Sequence, residues 1–276
     1  MNKYLITGGT GFLGVKLIER LYKQNNIRVV ARNEGKLIQL QQKFPKIEII
    51  TGNIADPCTA LKACDGVDGI FHLAAFKHVR WAEEQPYECI NTNVNGSVNI
   101  LSSGSQNSPE FILGISTDKA ASLSGVYGGT KYLMEKMFSE YEKMFPDIKF
   151  RIVRYGNVLY STGSVLCLWK ELLQKHGEIT ITTPEATRFF WTLEQAVDLI
   201  FECLENAKDS SPYVPEMKSM KMGDLLTAMQ LKYGKAGNIK VIGLQPGENL
   251  HEKILETGKN SDESEKFTIE EILEMI

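Results

Sequence analysis

Two short stretches of this chain carry side chains that could do chemistry together. Ser116-Thr117-Asp118-Lys119 ends eight residues before Tyr127, and Lys131 follows Tyr127 at helical spacing. Tyr-x-x-x-Lys on a helix sets a phenol and an ammonium one turn apart on the same face. That pairing suits removal of a proton from a hydroxyl while hydride leaves the same carbon. An adjacent acid–base pair, Asp118 with Lys119, could move a second proton at a neighbouring carbon. The combination points to oxidation coupled to elimination rather than oxidation alone.

Such chemistry needs a hydride carrier and a scaffold to hold it. Lys3-Tyr4-Leu5-Ile6 reads as a short strand, then comes Thr7-Gly8-Gly9-Thr10-Gly11-Phe12-Leu13-Gly14, then Val15–Leu21 with apolar residues at helical spacing. Strand, glycine turn and helix in that order form a cradle for a dinucleotide pyrophosphate. Gly8 would make the tight turn, Gly11 the close approach to phosphate, and Gly14 the packing of helix on strand. A second strand, Ile27–Ala31, ends in Ala31-Arg32-Asn33 with no carboxylate before Glu34. A carboxylate there would suit the ribose 2′-hydroxyl of NAD, whereas a guanidinium suits a 2′-phosphate. Arg32 therefore favours NADP over NAD, the alternative being a solvated loop charge.

The scaffold follows from the periodicity. Candidate strands at 3–6, 27–31, 47–50, 68–72, 111–115 and 150–154 alternate with helical stretches near 14–24, 34–44, 58–64, 86–106 and 127–144. That alternation predicts an α/β fold, a Rossmann-like doubly wound parallel sheet. Helices near 164–175 and 193–206 belong to a different rhythm after residue 155. The expected division is 1–160 for NADP, with 186–210 returning to it, and 161–276 as mainly a smaller C-terminal substrate-binding cap. The acidic tail 256–276 reads as a peripheral helix or a partly disordered segment.

Composition excludes several other classes. With 276 residues, 43% hydrophobic, the chain can bury a large core, and a net charge of −3 gives no basic surface for nucleic acid. No apolar run is long enough for an integral membrane segment, and Lys3–Ile6 is expected to be a buried strand, not an export signal. The five cysteines (Cys58, Cys64, Cys89, Cys167, Cys203) have no paired spacing and read as reduced thiols of a cytoplasmic protein. The four histidines form no ligand pattern, so no metal is expected.

Thr7–Gly14, His72-Leu73-Ala74-Ala75-Phe76-Lys77-His78-Val79, Ser116–Lys119, Tyr127–Lys131 and Arg154-Tyr155-Gly156-Asn157-Val158 resemble extended short-chain dehydrogenase/reductases. More narrowly, the chain is similar to the UDP-N-acetylglucosamine 4,6-dehydratases of surface-polysaccharide biosynthesis. Thr187-Arg188-Phe189 and Pro246–Glu252 extend the likeness, which covers roughly 3–255. The resemblance implies a UDP-sugar substrate, 4,6-dehydration with or without epimerisation at carbon 5, and a homo-oligomer. It makes Thr117 the holder of the 4-hydroxyl, Tyr127 and Lys131 its base and helper, Lys119 the base at carbon 5 and Asp118 the acid. It adds Gly8, Thr10, Gly11, Phe12, Leu13, Gly14, Asn53, Ile54, Ala74, Ala75 and Lys77 to Arg32 as cofactor contacts. For the substrate it implies Asn157, Ser164, Arg188, Glu248 and Lys77, the last shared with the cofactor or held in a structural ion pair.

The chain departs from the family pattern at four places. Arg80 stands where Pro is usual, and Asn53 where Asp meets the adenine edge. Ser161-Thr162-Gly163-Ser164 lacks a usual Arg, and the loop Ala120–Val126 lacks prolines. His72, His78 and the Phe189–Trp191 aromatics are expected to be packed structural residues, with at least one of Arg151 and Arg154 structural and Asn93 a bridge near the nicotinamide.

The Tyr127 phenol titrates near 10, and lowering it to about 7 needs about 4 kcal/mol, which an ammonium ~4 Å away supplies at an effective dielectric near 20. Lys131 is thus expected to suffice. Lys119 must be largely neutral, pushed down by Lys131 and the nicotinamide cation, and Asp118 raised by burial. A nucleotide-sugar 4-epimerase or reductase would use Tyr127 and Lys131 but not Lys119. A redox sensor would bind NADP without turnover, and a vestigial scaffold would not bind it.

Overall fold

The computed structural model describes residues 1–123 and 125–276; Ser124, in the Ala120–Val126 loop, lies outside them. The first half runs β1 (Lys3–Thr7), α1 (Phe12–Leu21), β2 (Asn26–Ala31), α2 (Glu34–Lys43), β3 (Glu48–Thr51), α3 (Pro57–Cys64) and β4 (Gly69–His72). Helices α4 (Val79–Glu84) and α5 (Pro86–Ile90) follow. A π-helical turn Asn91–Asn95 joins α5 to α6 (Gly96–Ser105). Strand β5 (Phe111–Thr117) leads through a 3₁₀ turn, Asp118–Ala120, to α7 (Gly125–Met144) and β6 (Lys149–Tyr155).

The remainder holds β7 (Asn157–Val158), α8 (Val165–Gln174), β8 (Glu178–Ile181), β9 (Thr187–Trp191) and α9 (Leu193–Asn206). It closes with β10 (Pro212–Tyr213), β11 (Ser219–Lys221), α10 (Met222–Tyr233), β12 (Asn238–Val241) and α11 (Ile269–Met275).

The central sheet has the order β10-β6-β5-β4-β1-β2-β3, and every pairing in it is parallel. The chain leaves β1 in one direction through β2 and β3 and returns to its other side at β4. The direction of winding therefore reverses between β1 and β4, and the carboxyl ends of the strands open a crevice there. This is the doubly wound α/β sheet that the alternation of strands and helices predicts. Its strands are buried on both faces, so they read as continuous apolar runs, as Gly69-Ile70-Phe71-His72 illustrates.

Two cores flank the sheet. Leu17, Ile18, Val29, Leu113 and Val153 pack with Val197 and Ile200 of α9 on one face, so α9 lies against the central sheet. Val30, Ile70, Ile112, Met134, Phe138 and Phe150 form the other. A third core joins Leu166, Trp169 and Leu173 of α8 to Leu225 and Met229 of α10 and to Ile272 and Ile276. Smaller sheets, β11-β9-β7 and β12-β8, carry that part.

Local chemistry sets the helix starts. The Asn33 side chain accepts from Lys36 N at 2.9 Å to cap α2, and Asp56 caps α3 ahead of Pro57. Reciprocal capping boxes, Thr192 with Gln195 and Thr268 with Glu271, start α9 and α11.

Three expectations need correction. The stretch 86–106 is not one regular helix, because the π turn inserts an extra residue that apolar spacing does not reveal. Helix α4 precedes it without having been anticipated. The tail does form a helix, α11, one of its two expected readings, but it is packed rather than loose: Ile272 is fully buried, and Ser261, also fully buried, donates to Thr187 O at 3.0 Å.

Candidate active site

The glycine turn is shaped for a ligand with a large anionic group. Gly8 has φ +69°, and a Cβ there would stand 2.8 Å from the Ala74 backbone. At Gly14 a Cβ would reach 2.6 Å from Gly9 Cα, so only glycine lets α1 sit this close to the turn. No acidic residue occupies the first turn of α1, whose free N–H groups and dipole face the crevice. These features fit a dinucleotide pyrophosphate, with Thr10, Gly11, Phe12 and Leu13 forming the rest of the turn. A cavity of 610 Å³ opens alongside Phe12, with Leu159, Tyr160, Leu193 and Phe267 among its walls. None of Thr117, Asp118, Lys119 or Tyr127 lines it.

Arg32 is exposed and makes no ion pair among the described residues. Asn53 Oδ1 accepts from Ala55 N at 3.1 Å, which fixes the loop after β3. The Ile54 side chain is buried in the second core, leaving only backbone atoms for a ligand. Ala74 and Ala75 lie half-buried after β4, with Ala74 N donating to Thr7 Oγ1 at 3.1 Å. His72, buried between Thr7 Oγ1 and Ser97 Oγ at 2.9 Å each, is pulled down to about 3 by burial and then by Lys131. It rests as a neutral structural imidazole. Asn93, on the π turn, spans Phe76 N, Phe76 O and Thr130 Oγ1 at 2.7, 2.9 and 3.0 Å. It ties the loop after β4 to the helix turn that carries Lys131.

Thr117, Asp118 and Lys119, the hydroxyl, acid and base expected from the sequence, meet at the carboxyl end of β5. Gly128 lets α7 approach them: a Cβ there would lie 2.3 Å from Lys119 O, so any other residue would force α7 away from the 3₁₀ turn. Thr117 Oγ1 donates to Asp118 Oδ1 at 2.9 Å, and Lys119 Nζ donates to the same oxygen at 3.0 Å. Asp118 is fully buried, and its Oδ2 has no partner among the described residues. An unsatisfied oxygen in a dry site marks a place where a proton or a ligand hydroxyl belongs.

Two residues from the C-terminal part complete the cluster. Glu252 is 1% exposed, with Oε1 3.7 Å from Lys119 Nζ and 3.8 Å from Arg188 Nε. Arg188 also donates to Thr187 O at 2.8 Å and Leu250 O at 2.9 Å. Glu252 lies in the quoted Pro246–Glu252 segment, yet sequence reasoning gave it no role. Its partners come from β9 and from the turn after β5, and nothing in its own surroundings names them.

The electrostatics depart from expectation. Burial raises Tyr127 to about 12, opposed first by Lys119 and then by Thr117, so it rests as a neutral phenol. Burial lowers Lys131 to about 8 against the pull of Glu135, and its Nζ sits 3.2 Å from Met134 Sδ. Lys131 therefore does not ionise Tyr127 in the resting protein: burial outweighs the cations around the phenol, of which Lys119 acts most strongly. Burial would also push Lys119 down, but Asp118 and then Glu252 more than offset it. Lys119 is thus an ammonium at rest rather than the expected neutral amine.

The other expected ligands are placed more loosely. Lys77 Nζ donates to Thr162 O at 2.9 Å, joining two loops rather than forming an ion pair. Asn157 Nδ2 reaches Phe189 O at 3.4 Å, and Ser164 Oγ lies 3.6 Å from Cys167 Sγ. The Glu248 carboxylate accepts from Gln245 N at 3.1 Å and closes its own turn. No hydrogen bond or ion pair among the described residues links Arg32, Ser164 or Glu248 to the cluster. Phe189, Phe190 and Trp191 are buried core residues.

Residues 4–274 match the model of a family described as polysaccharide biosynthesis protein. The UDP-N-acetylglucosamine 4,6-dehydratase (inverting) of Campylobacter jejuni is 34% identical over 94% of this chain and 78% of its own length. The UDP-glucose 4-epimerase of Rickettsia akari is 33% identical over 91% and 76%. Among solved structures, Pen from Bacillus thuringiensis superposes with a TM-score of 0.87 at 30% identity, covering 92% of this chain and 81% of that one.

Proposed function

This chain belongs to the polysaccharide biosynthesis protein family of extended short-chain dehydrogenase/reductases, and on that premise we propose that it is an NADP-retaining 4,6-dehydratase of UDP-N-acetylglucosamine. The observation that carries the reading is the buried Asp118–Lys119 pair joined to Thr117 beside Tyr127. An epimerase acting at carbon 4 has work for Thr117 and Tyr127 but none for a second acid and base.

The bound nicotinamide supplies hydride uptake from carbon 4 and hydride return at carbon 6. Thr117 holds the 4-hydroxyl and Tyr127 takes its proton, once the cofactor's positive charge and Lys131 together bring the phenol down. With carbon 4 a ketone, the carbon-5 proton turns acidic and the 6-hydroxyl lies β to the carbonyl. Lys119, as the amine, takes that proton, and Asp118 protonates the leaving hydroxyl. The proton lost from the 4-hydroxyl balances the one carried off in water. Thr117, bonded to Asp118 Oδ1, lies between the two groups that handle it. Lys119 then returns its proton to carbon 5, with or without inversion.

Arg188 and Asn157 are read as diphosphate ligands, and Glu248 and Ser164 as further substrate contacts, with 161–276 as mainly the substrate cap. NADP is preferred over NAD because Arg32, exposed just past the end of β2, makes no ion pair among the described residues. Exposed Trp81, Tyr87, Ile90 and Leu133 on α4, α5 and α7 support a homo-oligomer. A cytoplasmic location accords with the free cysteines.

Incubation with UDP-N-acetylglucosamine in heavy water, read by mass spectrometry and proton NMR, tests the reading. Loss of water with deuterium at carbon 5 is the expected result. A 4-epimer of unchanged mass would replace the dehydratase with an epimerase, the reading favoured by the Rickettsia relative.

A further inference from the structure

The cluster contains one ionisable group that the reaction above leaves idle. Glu252 is almost fully buried, and Oε1 stands between two cations at 3.7 and 3.8 Å, too far for a hydrogen bond to either. Its other oxygen accepts from Asn249 Nδ2 at 3.2 Å, and its backbone is pinned by Ser261 Oγ at 2.8 Å. The carboxylate is therefore held in place while its charge is shared loosely. The reaction, for its part, needs Lys119 as an amine, and the resting cluster holds it as an ammonium.

We propose that Glu252 is the positioning residue that switches Lys119 on, accepting its proton when the substrate diphosphate draws Arg188 away. The proposal rests on the dehydratase reading. At rest the groups facing Glu252 are Lys119 and Asp118 from the turn after β5, Arg188 from β9, and Asn249 from its own loop. Tyr127 of α7 acts on Lys119 from beyond the pair, and His251 is engaged with Thr187 Oγ1 at 2.8 Å. Burial and then Asp118 raise Glu252, while Lys119 and Arg188 hold it down. Diphosphate competing for Arg188 removes one of the two restraining cations, and a bound sugar excludes the remaining water. Both changes favour the neutral form of the carboxyl. Freed from Arg188, Oε1 closes the 3.7 Å gap to Lys119 Nζ; one N–H bond of Lys119 then breaks and one O–H bond of Glu252 forms, with no change in oxidation state. The transfer reverses when product leaves. Because the proton stays inside the pair, the switch draws nothing from solvent.

The signature is in the pH dependence. In the wild-type enzyme the activating transfer is internal, so kcat is flat through the neutral range. In Glu252→Gln the Lys119 proton must go to solvent, so kcat gains an acid limb: at least about 100-fold lower near pH 6.5 and recovering towards pH 9. Glu252→Asp, which keeps the acid, restores most of the neutral-pH rate. The first half-reaction, seen as transient absorbance of reduced cofactor, is unchanged in Glu252→Gln. A kcat lowered equally at every pH, or loss of the transient as well, would mean a structural role and overturn the proposal.

A measurement on the unaltered protein guards against misfolded variants. With ¹⁵N-lysine labelling, the Lys119 side-chain nitrogen is expected to read as ammonium alone and as amine with UDP-N-acetylglucosamine bound. An ammonium in both states would sink the idea. Wild-type protein that forms no dehydrated product at all would instead remove the reading beneath it.

Discussion

Strand β5 ends beside two buried ionic clusters built on opposite principles. The first surrounds Arg154, which is 1% exposed. Its Nε and Nη2 grip Glu135 at 2.7 and 2.6 Å, its Nη1 and Nη2 grip Glu256 at 3.1 and 2.7 Å, and Nη1 also reaches Ile254 O at 3.0 Å. All five guanidinium donors are used. Glu135 also accepts from Ser116, so β5, α7 and the C-terminal segment are locked together. The second cluster, Asp118, Lys119, Glu252 and Arg188, begins two residues beyond Ser116, with Thr117 bonded to it. Its longer separations and the bare Asp118 Oδ2 leave it open. A satisfied network fixes geometry, whereas an unsatisfied one keeps protons mobile. Ser116 serves the first and Thr117 the second, as alternation along a strand allows.

The contrast is broken most sharply by exchanging what each cluster should lose. Lys119→Ala should lower dehydration by about 10³-fold, the scale of a missing general base. Cofactor content should stay near wild type. A fall in stability in place of activity would put Lys119 in the structural class. Arg154→Met should do the reverse. It strands the buried Glu135 carboxylate and should cost about 3–5 kcal/mol, read from the urea midpoint.

Lys131 tests the boundary between the two, since Glu135 lies one turn away on α7. Burial lowers it from 10.5 to about 8, so between those values the unfolded chain binds more protons than the folded one. Stability of the cofactor-free protein should therefore rise with pH across that window. Below it the buried ammonium costs up to about 3 kcal/mol. Lys131→Met should accordingly stabilise the cofactor-free protein at pH 7, flatten that slope and impair turnover. A lower melting temperature would show that Lys131 belongs with the closed cluster.

Much of this was legible beforehand because it is local. Strands 27–31 and 68–72 match β2 and β4 to within a residue, and the glycine turn and Tyr127–Lys131 sit where their spacing demands. Legibility stops where partners are remote. Glu252 acquires meaning only opposite Lys119, and Arg154 only between Glu135 and Glu256. The π turn at Asn91–Asn95 preserves the apolar pattern on either side of it and so leaves no trace. The tail's acidity left helix and disorder open; Ile269, Ile272 and Ile276, at helical spacing behind the Thr268–Glu271 capping box, favour the helix that forms.

The smallest expected effect lies inside the closed cluster and asks whether closure or charge does the holding. Glu135 and Glu256 make matching bidentate contacts with Arg154, but their side chains are 6% and 52% exposed. Arg154 holds Glu256 below the usual carboxylate range, yet water screens a half-exposed carboxylate and solvates it when the pair opens. Glu256→Gln keeps the shape and one strong acceptor, so it should cost under about 1 kcal/mol. It should leave turnover unchanged, because Glu135 still satisfies Nε and Nη2. Urea melts of Glu256→Gln beside Glu135→Gln measure the difference directly. Equal losses would mean that the count of ion pairs, rather than their burial, holds β5 and α7 in register.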